Sequence, residues 1–162
     1  ACRLFDDFVA EHGGEPAGRE WRPLPVAHVL VHPHCHQRAL VGSAGTRRAL
    51  SLIPGLRVTE LATACCGMAG AFGYEEEHYE LSMRLANQIL FPAIRREPDA
   101  WVCATGTSCR RQIQDGTGRR AWATAELLAM SLGVSGSVSA DGVCTRGGHA
   151  SPEETPAGRT SW

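Results

Sequence analysis

Val26-Ala-His-Val-Leu-Val31 is a short run of β-branched and aliphatic residues that ends in the polar segment His32-Pro-His-Cys-His36. Two more such runs follow, Leu56-Arg-Val-Thr-Glu-Leu61 and Ala100-Trp-Val-Cys-Ala-Thr105, with a shorter fourth candidate over 120–123. Apolar runs of this length, bounded by loop residues, read as buried strands. Each leads into a stretch with helical character. Helices are expected over 2–12, over 37–53 with Pro54-Gly55 as the stop, over 75–96, over 107–115 before Gly116, and over 124–132 before Gly133, with Thr124 as an N-cap. The longest opens on Glu75, Glu76 and Glu77 and closes on Arg95 and Arg96, charges that suit the two ends of a helix dipole. Its apolar positions Tyr79, Met83, Ala86, Leu90 and Ala93 step by three and four, and Pro92 inside the pattern should kink or split it. Strands alternating with helices predict an α/β fold, an open parallel sheet with flanking helices. Ligands in such sheets collect at the carboxyl ends of the strands.

The chain has 162 residues, 43% of them hydrophobic, with 16 basic and 17 acidic side chains. At that length a chain buries roughly two thirds of its unfolded surface, so neither disulfides nor a metal is needed merely to make a core. All the basic residues are Arg and none is Lys. A balanced charge lacks the basic footprint of a nucleic-acid-binding domain. No apolar run reaches the length of a membrane span and no basic-then-apolar leader opens the chain, so a cytoplasmic product is expected, with peripheral association at the inner face of the membrane allowed. Ala1 stands where a Met would start a complete protein, which leads us to expect a piece of something longer. Beyond Gly133 the composition turns to Ser, Gly, Thr, Pro and charged residues. The expected organisation is one cysteine-rich domain over 1–134 and a low-complexity, disordered tail over 135–162, in which Cys144 and His149 take no part.

Six of the seven cysteines fall on this domain, and most of them sit at strand ends. Cys35 follows the first strand and Cys65-Cys66 the second, while Cys103 and Cys109 flank the end of the third. Residues distant in sequence therefore converge on one edge of the sheet. Gly67, Gly70, Gly73 and Gly106 crowd the same loops and allow close backbone approach to a bulky ligand. Soft thiolates gathered in this way hold zinc or an iron–sulfur cluster. Structural zinc usually draws on C-x2-C knuckles, and this chain has none. Neighbouring side chains such as Cys65 and Cys66 do not easily reach one tetrahedral ion, and suit an object with several irons. His34 and His36 flank Cys35 and share its segment with His32. They are read as lining the site rather than ligating. Cys103 is a further candidate ligand, although a core position on its strand suits it better, as it does Cys2.

Three stretches carry a resemblance: Cys35-His-Gln-Arg-Ala-Leu40, Cys65-Cys-Gly-Met-Ala-Gly-Ala-Phe-Gly-Tyr74 and Gly106-Thr-Ser-Cys-Arg-Arg-Gln-Ile113. In this order they resemble the cysteine-rich "CCG" domain of iron–sulfur oxidoreductases. That group includes the B subunit of heterodisulfide reductase, the iron–sulfur subunits of glycolate and glycerol-3-phosphate dehydrogenases, and the C-terminal iron–sulfur region of FAD-linked D-2-hydroxy acid oxidases. The last is the nearest likeness. The resemblance spans roughly 2–133. It implies a 4Fe-4S type cluster on Cys35, Cys65, Cys66 and Cys109, with His34, His36, Gly67 and Gly106 around it. It also implies a second cysteine-rich copy, a ferredoxin-like segment, and a partner or fused FAD domain. That flavin would oxidise a 2-hydroxy acid of the glycolate, D-lactate or 2-hydroxyglutarate class, and the electrons would pass to a quinone or another carrier. In this reading the chain relays electrons, and no catalytic residue is assigned to it. Two positions depart from the pattern: Gly106 stands where the strict motif has the first Cys of a C-x-x-C pair, and Ala123 stands where the oxidase branch tends to carry His. A zinc-binding or metal-free docking module, and a thiol–disulfide site of the heterodisulfide reductase kind, are the alternatives.

Overall fold

The computed structural model describes residues 2–14, 18, 20–63 and 65–134, together with the backbone of 137–138 and 144–145. Four strands, β1 (His28–His32), β2 (Arg57–Glu60), β3 (Trp101–Ala104) and β4 (Ala121–Trp122), form one sheet in the order β2-β1-β3-β4. Every pairing in it is parallel. The α/β architecture expected from the alternating pattern is therefore present. Among the described residues, seven helices connect or flank the strands: α1 (Phe5–His12), α2 (Cys35–Leu40), α3 (Ala44–Leu50), α4 (Glu76–Gln88), α5 (Leu90–Arg95), α6 (Thr107–Thr117) and α7 (Thr124–Ser131). In the stretch expected to be a tail, a two-residue antiparallel pair joins 137–138 to 144–145. The side chains of Cys144 and His149 lie outside the described residues. No described helix is long and apolar enough to cross a membrane.

Side-chain alternation along the strands divides the core into two layers. Leu30, Val102 and Ala104 face one way, onto Ala86 of α4, Leu90, Phe91 and Ile94 of α5, and Ile113 of α6. Val29, Val31 and Cys103 face the other way, onto Ala49 and Leu50 of α3 and Leu127 and Leu128 of α7. All five residues of β1 are buried, as a strand paired on both sides and covered on both faces must be. On the second layer α1 is fastened by Asp6, whose carboxylate accepts hydrogen bonds from Thr46 and Thr124. Burial raises the Asp6 carboxyl above its ordinary range, and the two hydroxyls work against that shift.

Two helical expectations are corrected, and a third, the division of the helix that carries Pro92, is met. The helix expected over 37–53 is two, α2 and α3, because Val41 leaves the helical region at φ −134° and Gly42 turns the chain at φ +76°. The helix expected over 75–96 divides at Ile89, also at φ −134°. Pro92 lies three residues beyond that break, and its ring would meet the carbonyl of Gln88, where α4 ends. Of the expected stripe, Ala86 and Leu90 are buried and Met83 and Ala93 pack beside them, joined by Ser82, Phe91 and Ile94, while Tyr79 is 45% exposed. Thr124 is the first residue of α7 rather than its cap. Its hydroxyl turns inward to Asp6, and Glu126 caps the helix by accepting the Ala123 N–H at 2.6 Å.

The burial of β1 has a measurable consequence. Leu30→Ala is expected to destabilise the chain by about 2–5 kcal/mol, the range for deleting a fully buried leucine. Leu40→Ala, at a residue 70% exposed, is expected to change stability by less than about 0.5 kcal/mol. Urea unfolding monitored by circular dichroism measures both. Equal effects would contradict the layer assignment.

Candidate metal centre

Strand order places the site. From β1 the chain crosses to β2 on one side, and the next strand, β3, pairs on the other side of β1. The connections leaving the carboxyl ends of β1 and β3 therefore diverge, which opens a crevice between them. His32 closes β1 and pairs in register with Ala104, the last residue of β3. Three connections meet over this point: 33–34 into α2, the segment between β2 and α4 with its 3-10 turn at Phe72–Tyr74, and 105–106 into α6. The His34 N–H donates to Thr105 Oγ1 at 2.9 Å and ties the first loop to the third. Gln112 of α6 donates from Nε2 to the Cys66 carbonyl at 2.8 Å and the Ser82 carbonyl at 3.1 Å, which holds the middle loop against α4 and α6. The Arg110 guanidinium donates to the Ala104 carbonyl at 3.0 Å, so it braces the end of β3 instead of neutralising a ligand.

On this frame the four cysteines meet as two pairs. Cys66 and Cys109 are buried with their sulfurs 3.3 Å apart. Cys35, half-buried, and Cys65, exposed, bring their sulfurs to 3.9 Å. The adjacent residues Cys65 and Cys66 thus turn to different partners. Gly67 makes this divergence feasible. Its φ of +91° reverses the chain, its N–H lies 3.4 Å from Cys65 Sγ, and a Cβ there would press on Ser82 and Leu85 at 3.0 Å.

The electrostatics of the two pairs differ. Cys66 is held down at about 4, chiefly because the Cys109 thiol donates to it, with His32 and the Met68 N–H adding to the effect against desolvation. Cys109 is pushed far up, first as that donor, then by burial and by the neighbouring thiols of Cys66, Cys35 and Cys65. Their mutual hydrogen bond and burial therefore push the two thiols of the buried pair in opposite directions. Desolvation also raises Cys65. One thiolate beside several thiols is a set of soft donors that a cation would draw into full ionisation.

The structure adds one residue that sequence reading had left outside the donor set. The imidazole of His32 lies with the sulfurs of Cys66 and Cys109 so that all three donor atoms fall within 4.8 Å of one another, and all three residues are buried. Parity along β1 explains it: His32 shares the face of Leu30, the face over which Cys66 and Cys109 close. His32 does not share one extended segment with His34 and His36, because the strand ends at His32 and the chain turns at Pro33 into α2. His34 and His36 line a shallow cleft of about 390 Å³ with Leu40, Thr105 and Gly106, outside the thiol pairs. Cys103 occupies the opposite layer, fully buried beside Thr124, and burial pushes its thiol up to about 12. Cys2 is exposed on the segment before α1.

The donor set fits a soft metal. Two thiolates on one tetrahedral ion, each at about 2.3 Å, stand about 3.8 Å apart. The separation of Cys35 and Cys65 meets that figure, and the closer buried pair would open slightly on binding.

The sequence pattern of the cysteine-rich domain family, CCG, matches residues 29–114, a span that holds every one of these donors. The chain belongs to this family. It is 33% identical over 111 residues to the C subunit of the anaerobic glycerol-3-phosphate dehydrogenase of Escherichia coli strain K12, an alignment covering 68% of this chain and 28% of that one. It is 34% identical over 90 residues to D-2-hydroxyglutarate dehydrogenase of the same strain, covering 54% and 9%. With the enzyme of that name from Pseudomonas putida KT2440 it shares 35% over 103 residues, covering 62% and 10%. The chain thus spans less than a third of the length of each of these relatives. No solved structure matches it.

Within the family pattern, the position of Gly106 has a steric explanation in this chain. A Cβ there would stand 2.5 Å from His34 Cδ2 and 3.0 Å from Cys109 Sγ. The imidazole of His34 occupies the space that a side chain at 106 would need. Gly106→Cys is accordingly expected to cost about 1–3 kcal/mol, as overpacking does, and to lose most of that cost when His34→Ala is added. Denaturant unfolding of the two single variants and the double variant measures the coupling. Additive effects would contradict the contact.

Proposed function

We propose that this chain is an iron–sulfur electron-transfer domain of a flavin-linked oxidoreductase, with the cluster held by Cys35, Cys65, Cys66 and Cys109. One observation carries the reading: two adjacent cysteines, Cys65 and Cys66, turn to different sulfur partners, Cys35 and Cys109. Two separate thiol pairs suit a centre with more than one metal atom. A 4Fe-4S type cluster bound there would accept and release single electrons. The chain's own residues would do the rest. Cys66 and Cys109 anchor the cluster on its dry side, and Cys35 and Cys65 leave the opposite side at the surface, where a redox partner can approach. Met68, buried against the same loop, and Leu90 keep water from the inner side.

The named activities of the relatives support an oxidoreductase setting. In the reading we favour, a 2-hydroxy acid such as glycolate, D-lactate or 2-hydroxyglutarate surrenders two electrons and two protons to FAD on a separate domain or subunit. The electrons then leave singly through iron–sulfur centres to a quinone or other carrier. A second cysteine-rich copy and a ferredoxin-like segment would complete the relay, in the cytoplasm or at the inner face of the membrane. A second reading, a single zinc ion in a docking module, is favoured by the 3.9 Å separation of Cys35 and Cys65, the span of two thiolates on one tetrahedral ion.

Anaerobic reconstitution with ferrous iron and sulfide tests the proposal. The expected product has a broad visible absorption, with iron and acid-labile sulfide in comparable amounts. Replacement of Cys35, Cys66 and Cys109 together by Ser is expected to abolish it. Stoichiometric zinc without sulfide in chain purified without oxygen would favour the second reading, and iron retained by the triple variant would overturn the first.

A further inference from the structure

We infer that His32 is itself a ligand of the metal centre, binding through Nε2, so that the buried half of the site is a nitrogen–sulfur half and only the exposed half is all-thiolate. The inference rests on the metal-centre reading above and deepens it.

Four observations support it. His32 is 2% exposed, and a buried imidazole needs partners for both ring nitrogens. Its Nδ1 lies 2.8 Å from Thr63 Oγ1, a hydroxyl on a residue that is itself 4% exposed. A cation at the sulfurs would take the place of the hydrogen bond between the ring and Cys66, leaving Nδ1–H to donate to that oxygen and the Nε2 lone pair to face the metal. Metal-bound histidines are typically oriented in this way, with the distal N–H fixed by an oxygen acceptor. The imidazole's donor atom lies within 4.8 Å of the sulfurs of Cys66 and Cys109, and the ring already reaches Cys66 by a hydrogen bond, with Nε2 the nitrogen turned away from Thr63. Finally, the backbone leaves His32 little choice of position. It ends the central strand, in register with Ala104 at the crevice between β1 and β3, and shares its face with Leu30.

Neither His34 nor His36 has this placement. His34 packs against Gly106, and His36 is exposed at the cleft. The two halves of the site would then differ in charge. A neutral imidazole adds a donor on the buried side without adding negative charge where water is excluded and an uncompensated anion is most costly. Imidazole ligation also raises the potential of an iron–sulfur centre relative to all-thiolate ligation.

X-ray absorption at the edge of whichever metal the anaerobically purified chain carries, iron or zinc, tests this directly. The expected wild-type spectrum contains sulfur scatterers together with the outer-shell scattering of one imidazole per centre. The imidazole signal is expected to survive in the His34→Ala/His36→Ala double variant, whose changes lie outside the core. It is expected to vanish in His32→Cys while metal content stays within about twofold, since cysteine offers a replacement donor for the same soft metal. A wild-type centre with sulfur and no imidazole overturns the assignment of His32 and leaves the metal reading standing. Imidazole scattering lost from the double variant, or retained in His32→Cys, also overturns it. Wild-type chain that takes up neither iron nor zinc overturns the metal reading and this inference together. The wild-type spectrum and the double variant decide the question even if His32→Cys does not fold.

Discussion

The parallel pairing of β1 between β2 and β3 is the constraint on which the rest of the molecule depends. Parallel neighbours point their carboxyl ends the same way, so each of the loops that follow must leave from one edge. The reversal of strand order after β2, with β3 added on the other side of β1, opens that edge beside the central strand. Every donor in the site is positioned relative to this point: His32 on the strand itself, Cys35 at the start of the helix that follows it, Cys65 and Cys66 after the neighbour on one side, and Cys109 in the first turn of the helix after the neighbour on the other. Burial of β1 on both faces keeps the strand ends in place.

The same sheet sorts residues that look alike in sequence. Cys103 and Cys109 are six positions apart on either side of the end of β3, yet they belong to opposite layers. Cys103 takes the parity of Val31 and lies with α3 and α7. Cys109 lies on α6, which closes over the other face. Burial pushes the first thiol up in an apolar core, while the second is pushed up chiefly by its hydrogen bond to Cys66. The difference between a packing residue and a candidate ligand is therefore geometrical, since both are buried cysteines of the same chain.

Much of this was legible in the residues. Three β-rich runs each followed by a cysteine-bearing segment imply the parallel sheet and the convergence of the thiols, because alternating strands and helices leave few other arrangements. The helix boundaries were less legible. Both breaks fall at residues with φ −134°, Val41 and Ile89, and neither residue is a helix breaker by type. What ends the helices is context: Gly42 in one case, and the reach of Pro92 back to Gln88 in the other. His32 was missed for a related reason. Its role depends on where β1 stops, and a strand end shifted by one residue places a side chain on the opposite face. The steric claim of His34 on the space at Gly106 had no sequence signal, since it joins residues 72 positions apart through a loop contact.

Thiols from three segments acting as one metal centre is the central claim. Mass spectrometry of the chain after partial metal loading and rapid thiol alkylation tests it most directly, because each molecule reports its own set of protected cysteines. A single shared centre requires an all-or-none distribution. Cys35, Cys65, Cys66 and Cys109 should be protected together or not at all, with exposed Cys2 alkylated in every species and buried Cys103 indifferent to metal. Protection of these four cysteines one by one, or metal-dependent protection of Cys103 in their place, would contradict it.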